Sequence, residues 1–243
     1  MIRIFLPPDE LTSEQITITG EQAKHLSVLR VKPDDQVFIF DGVGNRYTCE
    51  VLQSHKKEVT ARLIKKEPYS TQSPISIVLA QGIPKGDKMD LIVQKATELG
   101  VNNIVPLISE RSQIRKTSKK DRWEKIALSA SQQSGREKVP NISEPLSYDE
   151  FIYSCSGETP SSAGILLYEE EKTRKLKEVL GNLRHCKRIV LLVGPEGGFS
   201  KKEAQMAIEK NFISVSLGPR ILRTETAPIT AISIIQYELG DMG

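Results

Sequence analysis

Phenylalanine, tryptophan and tyrosine together make up 5% of this 243-residue chain. That is too few rings for a surface that stacks a run of bases on aromatic faces. Cysteine is scarcer still. Cys49, Cys155 and Cys186 are odd in number, far apart and form no C-x-x-C pair. They offer no disulfide framework, which points to a reducing cytoplasm. The histidines, His25, His55 and His185, are scattered, so no metal site is expected. No segment stays apolar for the roughly 20 residues that a bilayer crossing needs. The opening "MIRIFLPPDE" lacks the apolar stretch of a signal peptide. A membrane partner is therefore not expected.

What is present reads as an ordinary folded chain, with 38% hydrophobic and 27% charged residues. The length allows one large core or two smaller ones. Net charge is only +3, but it is unevenly spread: zero over 1–70, +5 over 71–140 and −2 over 141–243. The excess gathers in "ERSQIRKTSKKDRWEK" (110–125). Such a run is ordinarily a solvated face. It can also be a footprint on a phosphate backbone.

Two patterns divide the chain. Residues 1–67 hold short segments rich in Val, Ile, Thr, Phe and Tyr: "RIFL", "ITITG", "DQVFIFDG", "RYTCEVLQ" and "EVTARLIKKE". These predict strands, and "DGVGNR" (41–46) has hairpin-turn content. One short helix is expected at 20–30, where Ala23, Leu26 and Leu29 share a face. Five strands and one helix make a small barrel. The polar "PYSTQSP" (68–74) reads as a linker. From 75 onward strands and helices alternate. Strands are expected at 75–80, 103–108, 164–168, 188–193 and 213–217. Helices are expected at 87–100, 121–134, 172–183, 200–210 and 227–239. Asp87 should cap its helix and Gly100 end it. Ser200 and Glu203 have capping-box spacing. The last helix is apolar almost all round, through Ile229, Ile232, Ile234, Ile235 and Leu239, so it should be buried in the domain or against another subunit. This alternation means an α/β fold with a parallel sheet covered on both faces.

Two loops carry the chemistry. "LLVGPEGGFS" (191–200) and "LGPRILRTETAP" (217–228) follow successive strands. In open parallel sheets, ligands sit at such carboxyl ends. The first loop is neither G-x-G-x-x-G nor a P-loop. Its Glu196 is a poor neighbour for a pyrophosphate, because like charges repel. A glutamate beside bare backbone suits a ligand with hydroxyls or positive charge. S-adenosylmethionine has both and no phosphate. One glycine-rich loop alone would be only a tight turn; two at adjacent strand ends point to a shared pocket. In the second loop, Thr224 or Thr226 can cap the following helix. Arg223 has no evident structural duty.

These loops resemble the paired cofactor loops of bacterial small-subunit rRNA (uracil-N3) methyltransferases of the SPOUT superfamily. The resemblance extends to "KGDKMDLIVQKATELGVNNIVPLISERS" (85–112), "RWEKIALSASQQSGR" (122–136) and "HLSVLR" (25–30), and so to nearly the whole chain. It implies a PUA-like RNA-binding β-barrel over 1–70. It also implies a SPOUT α/β methyltransferase domain over 71–243 with a C-terminal trefoil knot. It implies S-adenosylmethionine as cofactor, a homodimer, and a uridine of 16S rRNA within the 30S subunit as target.

With the family in view, Leu167, Gly194, Glu196, Gly198, Leu217, Ile221, Leu222 and Thr226 are candidate cofactor contacts. Plain sheet core is the alternative role for Leu167. Arg223 is the candidate stabiliser of charge on the uracil carbonyls. Glu225 or Glu196 is the candidate base for the N3 proton; Glu225 can equally pair with Arg223. Candidate RNA contacts are Arg3, His25, Arg30, Arg46, Arg111, Arg115, Gln133 and Arg136, with Gln132 beside them. Three rival readings stand: a SPOUT ribose 2′-O-methyltransferase, a non-catalytic RNA-binding or ribosome-assembly protein, and an ATP- or NAD-binding α/β protein. The missing phosphate motifs disfavour the last.

Overall fold

A computed structural model describes residues 2–68, 72–155 and 160–243. The chain divides into two compact units. One is Met1–Gln72 together with Ser131–Val139, and the other is Ser73–Ala130 together with Pro140–Gly243.

In the first unit, strands β1 (Arg3–Phe5), β2 (Gln15–Thr19), β3 (Gln36–Phe40), β4 (Asn45–His55) and β5 (Glu58–Pro68) form one curled sheet in the order β1-β3-β4-β5-β2. β1 runs parallel to β3 and the other pairings are antiparallel. Alternate residues, such as Ile16 and Ile18 of β2, point into a core with Val37, Ile39 and Val51. Helix α1 (Gly20–Val28) closes that core with Ala23 and Leu26. The hairpin at 41–46 forms because the Asp41 carboxylate accepts hydrogen bonds from the Val43, Gly44 and Asn45 amides. Of the linker expected at 68–74, residues 69–71 lie outside the described residues.

The second unit is a parallel sheet. Its strands are β6 (Ser76–Gly82), β7 (Asn103–Ile108), β8 (Asn141–Ile142), β9 (Leu146–Ser147), β10 (Ser162–Leu167), β11 (Arg188–Val193) and β12 (Phe212–Val215). The order is β12-β10-β11-β6-β7-β8, with β9 also on β7. β6 and β11 are buried almost throughout, as expected of strands covered on both faces. The helices are α2 (Lys88–Glu98), α3 (Lys120–Ser134), α4 (Tyr148–Ser154), α5 (Leu176–Asn182), α6 (Lys201–Glu209) and α7 (Thr226–Leu239). α3 gives its last turn, from Ser131, to the first unit.

Several expectations need correction. α5 begins at Leu176, because residues 168–175 form a loop organised by Glu171. That carboxylate accepts from the Thr173 and Arg174 amides and from the Thr173 and Ser214 hydroxyls. Asp87 occupies the N-cap of α2 without a side-chain cap and pairs with Lys119 instead, at 3.4 Å. Neither threonine caps α7; the cap position is Glu225, which makes no side-chain cap bond. On α7, expected to be buried in the domain or against another subunit, Ile232 and Ile235 are fully covered within this chain, whereas Tyr237 is exposed. The reading also missed α4, whose Ser147 and Glu150 form a capping box, and the two-residue strands β8 and β9. Two signals hold as read. Gly100 ends α2 at φ +88°, and Ser200 and Glu203 complete a capping box at α6.

Candidate functional site

The carboxyl ends of β6, β10, β11 and β12 lie side by side, and the loops leaving β10, β11 and β12, with Lys88 of α2, line a cavity of about 880 Å³. That is room for a nucleoside-sized ligand. Three segments are stitched together at the Gly194 carbonyl. It accepts from Thr224 Oγ1 at 2.9 Å and from Gln81 Nε2 at 3.3 Å. Gln81 is completely buried at the end of β6. Thr224 therefore ties the second loop to the first.

The glycines permit this approach. A Cβ on Gly82 would lie 2.6 Å from the Pro195 backbone nitrogen, closer than any Cβ can sit. Gly198 has φ +64°, a conformation side chains other than glycine rarely take. Its absent side chain also makes room for the Glu169 carboxylate, whose Oε1 would be 3.0 Å from a Cβ. The loop is braced from behind by Arg111, whose Nη1 donates to the Gly197 carbonyl at 2.9 Å.

Of the candidate cofactor contacts, Leu167, Gly194, Glu196, Gly198, Leu217, Ile221 and Leu222 line the cavity, and so does Arg223. Thr226 and Glu225 do not. Arg223 is exposed, and its guanidinium makes no hydrogen bond or ion pair among the described residues. Glu196 is engaged: it accepts from Lys88 Nζ at 2.8 Å and from the Lys85 amide at 3.1 Å. Burial pushes its carboxyl up, but the Lys88 hydrogen bond and the backbone donors outweigh this and hold it below the ordinary range. Lys88 is raised in turn, chiefly by that same bond. Glu225 reaches Lys88 only at 3.8 Å, and its buried Oε2 has no hydrogen-bond partner.

The sequence reading missed part of the wall. Lys88, Tyr168, Glu169, Glu171, Lys172 and Lys175 also line the cavity. Of the five from "YEEEKTRK", Tyr168 falls in the expected strand 164–168, Lys172 and Lys175 fall in the expected helix 172–183, and Glu169 and Glu171 lie between them. The available signal was an acid two residues before a threonine, which is turn chemistry.

Most of the candidate RNA contacts hold internal duties. In the first unit Arg3 pairs with Glu137 at 3.1 Å, donates to the Arg136 carbonyl and lies over the Phe40 ring. Arg136 is buried and donates to Gln72. Gln132 donates to the Arg3 carbonyl at 3.0 Å. Arg46 pairs with Glu67 at 2.7 Å. His25, Arg30 and Gln133 are exposed. In the second unit Arg115 folds back onto the Ser109 and Glu110 carbonyls. No group of three His, Cys, Asp or Glu among the described residues is placed to hold a metal. No helix among them is long and apolar enough to cross a membrane.

Two family models match the chain: an RNA methyltransferase PUA domain at residues 18–64 and an RNA methyltransferase domain at residues 71–236. The ribosomal RNA small subunit methyltransferase E of Bacillus subtilis (strain 168) is 33% identical, over 98% of this chain and 97% of that protein. The crystal structure of a ribosomal RNA small subunit methyltransferase E from Neisseria gonorrhoeae, bound to S-adenosyl methionine, aligns over all of both chains with a TM-score of 0.87 and 36% identity. A Legionella pneumophila putative methyltransferase in complex with the same cofactor aligns over 99% of this chain and 98% of that one, with a TM-score of 0.84 and 32% identity. With a knitted cavity at three strand ends and a family model spanning that whole unit, this chain belongs to the RNA methyltransferase family.

Proposed function

We propose that the protein methylates N3 of a uridine in small-subunit (16S) ribosomal RNA, using S-adenosylmethionine. One observation carries this reading: a large cavity framed by two Gly-Pro loops that has no phosphate-binding motif. Full-length relatives are named ribosomal RNA small subunit methyltransferases, and two similar solved structures hold the cofactor. The walls fit it. Leu167, Leu217 and Leu222 supply apolar surface, and the 194–198 and 217–222 segments offer backbone groups to an adenine edge.

When bound, the cofactor supplies a methyl group on an already cationic sulfur. The protein's part is the uracil. Removing the N3 proton puts negative charge on the two flanking carbonyl oxygens. Arg223, unpaired at the cavity wall, is the donor we assign to that charge. Glu196 is held ionised by Lys88 and the Lys85 amide, which makes it a weak base. Glu225 stands off the cavity wall, with a buried Oε2 3.8 Å from Lys88, and the N3 proton acceptor is one of these two carboxylates. In this reading residues 1–70 form the RNA-binding domain and residues 71–243 the methyltransferase domain, knotted at its C-terminal end. The enzyme works in the cytoplasm as a homodimer on the 30S subunit. His25, Arg30 and Gln133 present free polar groups to RNA, and the basic 110–125 block adds phosphate contacts.

The test is incubation with methyl-labelled cofactor and small-subunit particles from cells lacking this protein. RNA digestion and mass spectrometry should find 3-methyluridine. Label on a ribose 2′-oxygen would replace this reading with the ribose one. No transfer and no cofactor binding would return the non-catalytic one.

A further inference from the structure

We infer that Glu169 is the residue that receives a hydrogen-bond donor of the cofactor, and that it thereby helps select a phosphate-free sulfonium nucleoside. The inference rests on the reading that this cavity holds S-adenosylmethionine. Three acids line the cavity: Glu169, Glu171 and Glu196. Two are spent. Glu171 takes four donors from its own loop and β12, and Glu196 takes Lys88 and the Lys85 amide. The Glu169 carboxylate takes no hydrogen bond and no ion pair among the described residues. Even Lys172, three residues on, donates past it to the Glu169 backbone carbonyl at 2.8 Å.

The side chain is exposed, and its carboxylate lies beside Gly198. It lies directly on the Gly198 backbone: a Cβ there would be 3.0 Å from Oε1 and 3.4 Å from Oε2. It therefore sits where the β10 loop meets the 194–199 loop, on the wall that both loops offer to a ligand. An ionised carboxylate only accepts, with about four lone-pair positions to fill. Water fills them until a ligand brings donors of its own. S-adenosylmethionine has three kinds, the ribose hydroxyls, the adenine amino group and the ammonium. A nucleotide's phosphates bring only negative charge, which the same carboxylate repels.

Calorimetry separates the cases, using S-adenosylmethionine, S-adenosylhomocysteine and 5′-methylthioadenosine on wild type, Glu169→Ala and Glu169→Gln. Glu169→Ala should weaken S-adenosylmethionine binding about tenfold to a hundredfold, the worth of one charge-assisted hydrogen bond. Glu169→Gln should fall between. If the donor is on the adenosine moiety, ribose or adenine amino group, methylthioadenosine loses the same factor. If it is the ammonium, methylthioadenosine is unchanged while S-adenosylhomocysteine weakens. Either result supports the assignment. Should Glu169→Ala fail to fold, the isosteric Glu169→Gln carries the test through its loss of charge. Affinities within twofold of wild type for the folded variants would overturn it. A wild-type protein that gives no heat with S-adenosylmethionine would overturn the cavity reading itself, and this inference with it.

Discussion

At the scale of single residues, the cavity separates charged groups by whether they are already paired. Lys88, Glu196, Arg111 and Glu171 are occupied in holding loops together. Arg223 is not, although it sits at the same wall. A guanidinium left unpaired in a cavity keeps its full donor capacity for charge that develops there. Arg223→Ala should therefore cut turnover by roughly 100-fold, within the range for losing one oxyanion donor. The dissociation constant for S-adenosylmethionine should barely move, as measured by calorimetry beside single-turnover methylation. Equal loss in both would make Arg223 a cofactor clamp instead. The sequence had already singled out Arg223, because nothing in "RILRTETAP" needed an arginine. It gave no comparable hint for Glu169, whose importance comes from a glycine 29 positions away.

At the scale of elements, the loop before α5 shows how a polar side chain can displace a helix. Residues 172–175 have acceptable helical propensity, yet Glu171 captures the amides of Thr173 and Arg174. Those bonds offer the backbone an alternative to the helix. The hydrogen bonds from Thr173, with those from Ser214 and the Arg174 amide, hold the Glu171 carboxyl at about 2, against an ordinary 4.5. A carboxyl lowered by folding stabilises fully above its unfolded value, and that contribution drains away as pH falls through the folded one. Glu171 thus supports the fold in full above pH 4.5 and loses its effect toward about 2. Glu171→Gln should lower the urea midpoint at pH 7. It should also make the midpoint decline less steeply than in wild type between pH 4.5 and 2. Parallel decline in the two proteins would show that the loop does not depend on the charge. Capping boxes behave differently, because they are purely local: Ser200–Glu203 was legible from spacing alone. The α4 box, Ser147–Glu150, has the same spacing on a helix of seven residues.

At the scale of the whole molecule, charge distribution bears on RNA. Several arginines in the candidate footprint are committed within their own units, including Arg3, Arg46 and Arg115. Committed guanidiniums still carry charge and still attract phosphate. Binding to a ribosomal RNA fragment should weaken about tenfold or more between 50 and 200 mM salt, with log affinity falling linearly in log salt. A filter-binding series gives the slope, which counts the phosphates engaged. A flat response would remove the electrostatic footprint and leave recognition to shape.

The sequence by itself determined the elements and the strand ends at which they matter. Period-2 and period-3.6 patterns are local, and so are Gly-Pro turns and capping pairs, so they could be read in order along the chain. Only the tertiary structure decided which polar groups remain free. Whether Glu169, Glu196 or Arg223 has a partner depends on Gly198, Lys88 and the neighbouring loops, which reach them through the sheet order rather than through sequence distance. Pairing is a property of positions in space, and free acceptors and donors at a cavity wall are what a ligand meets.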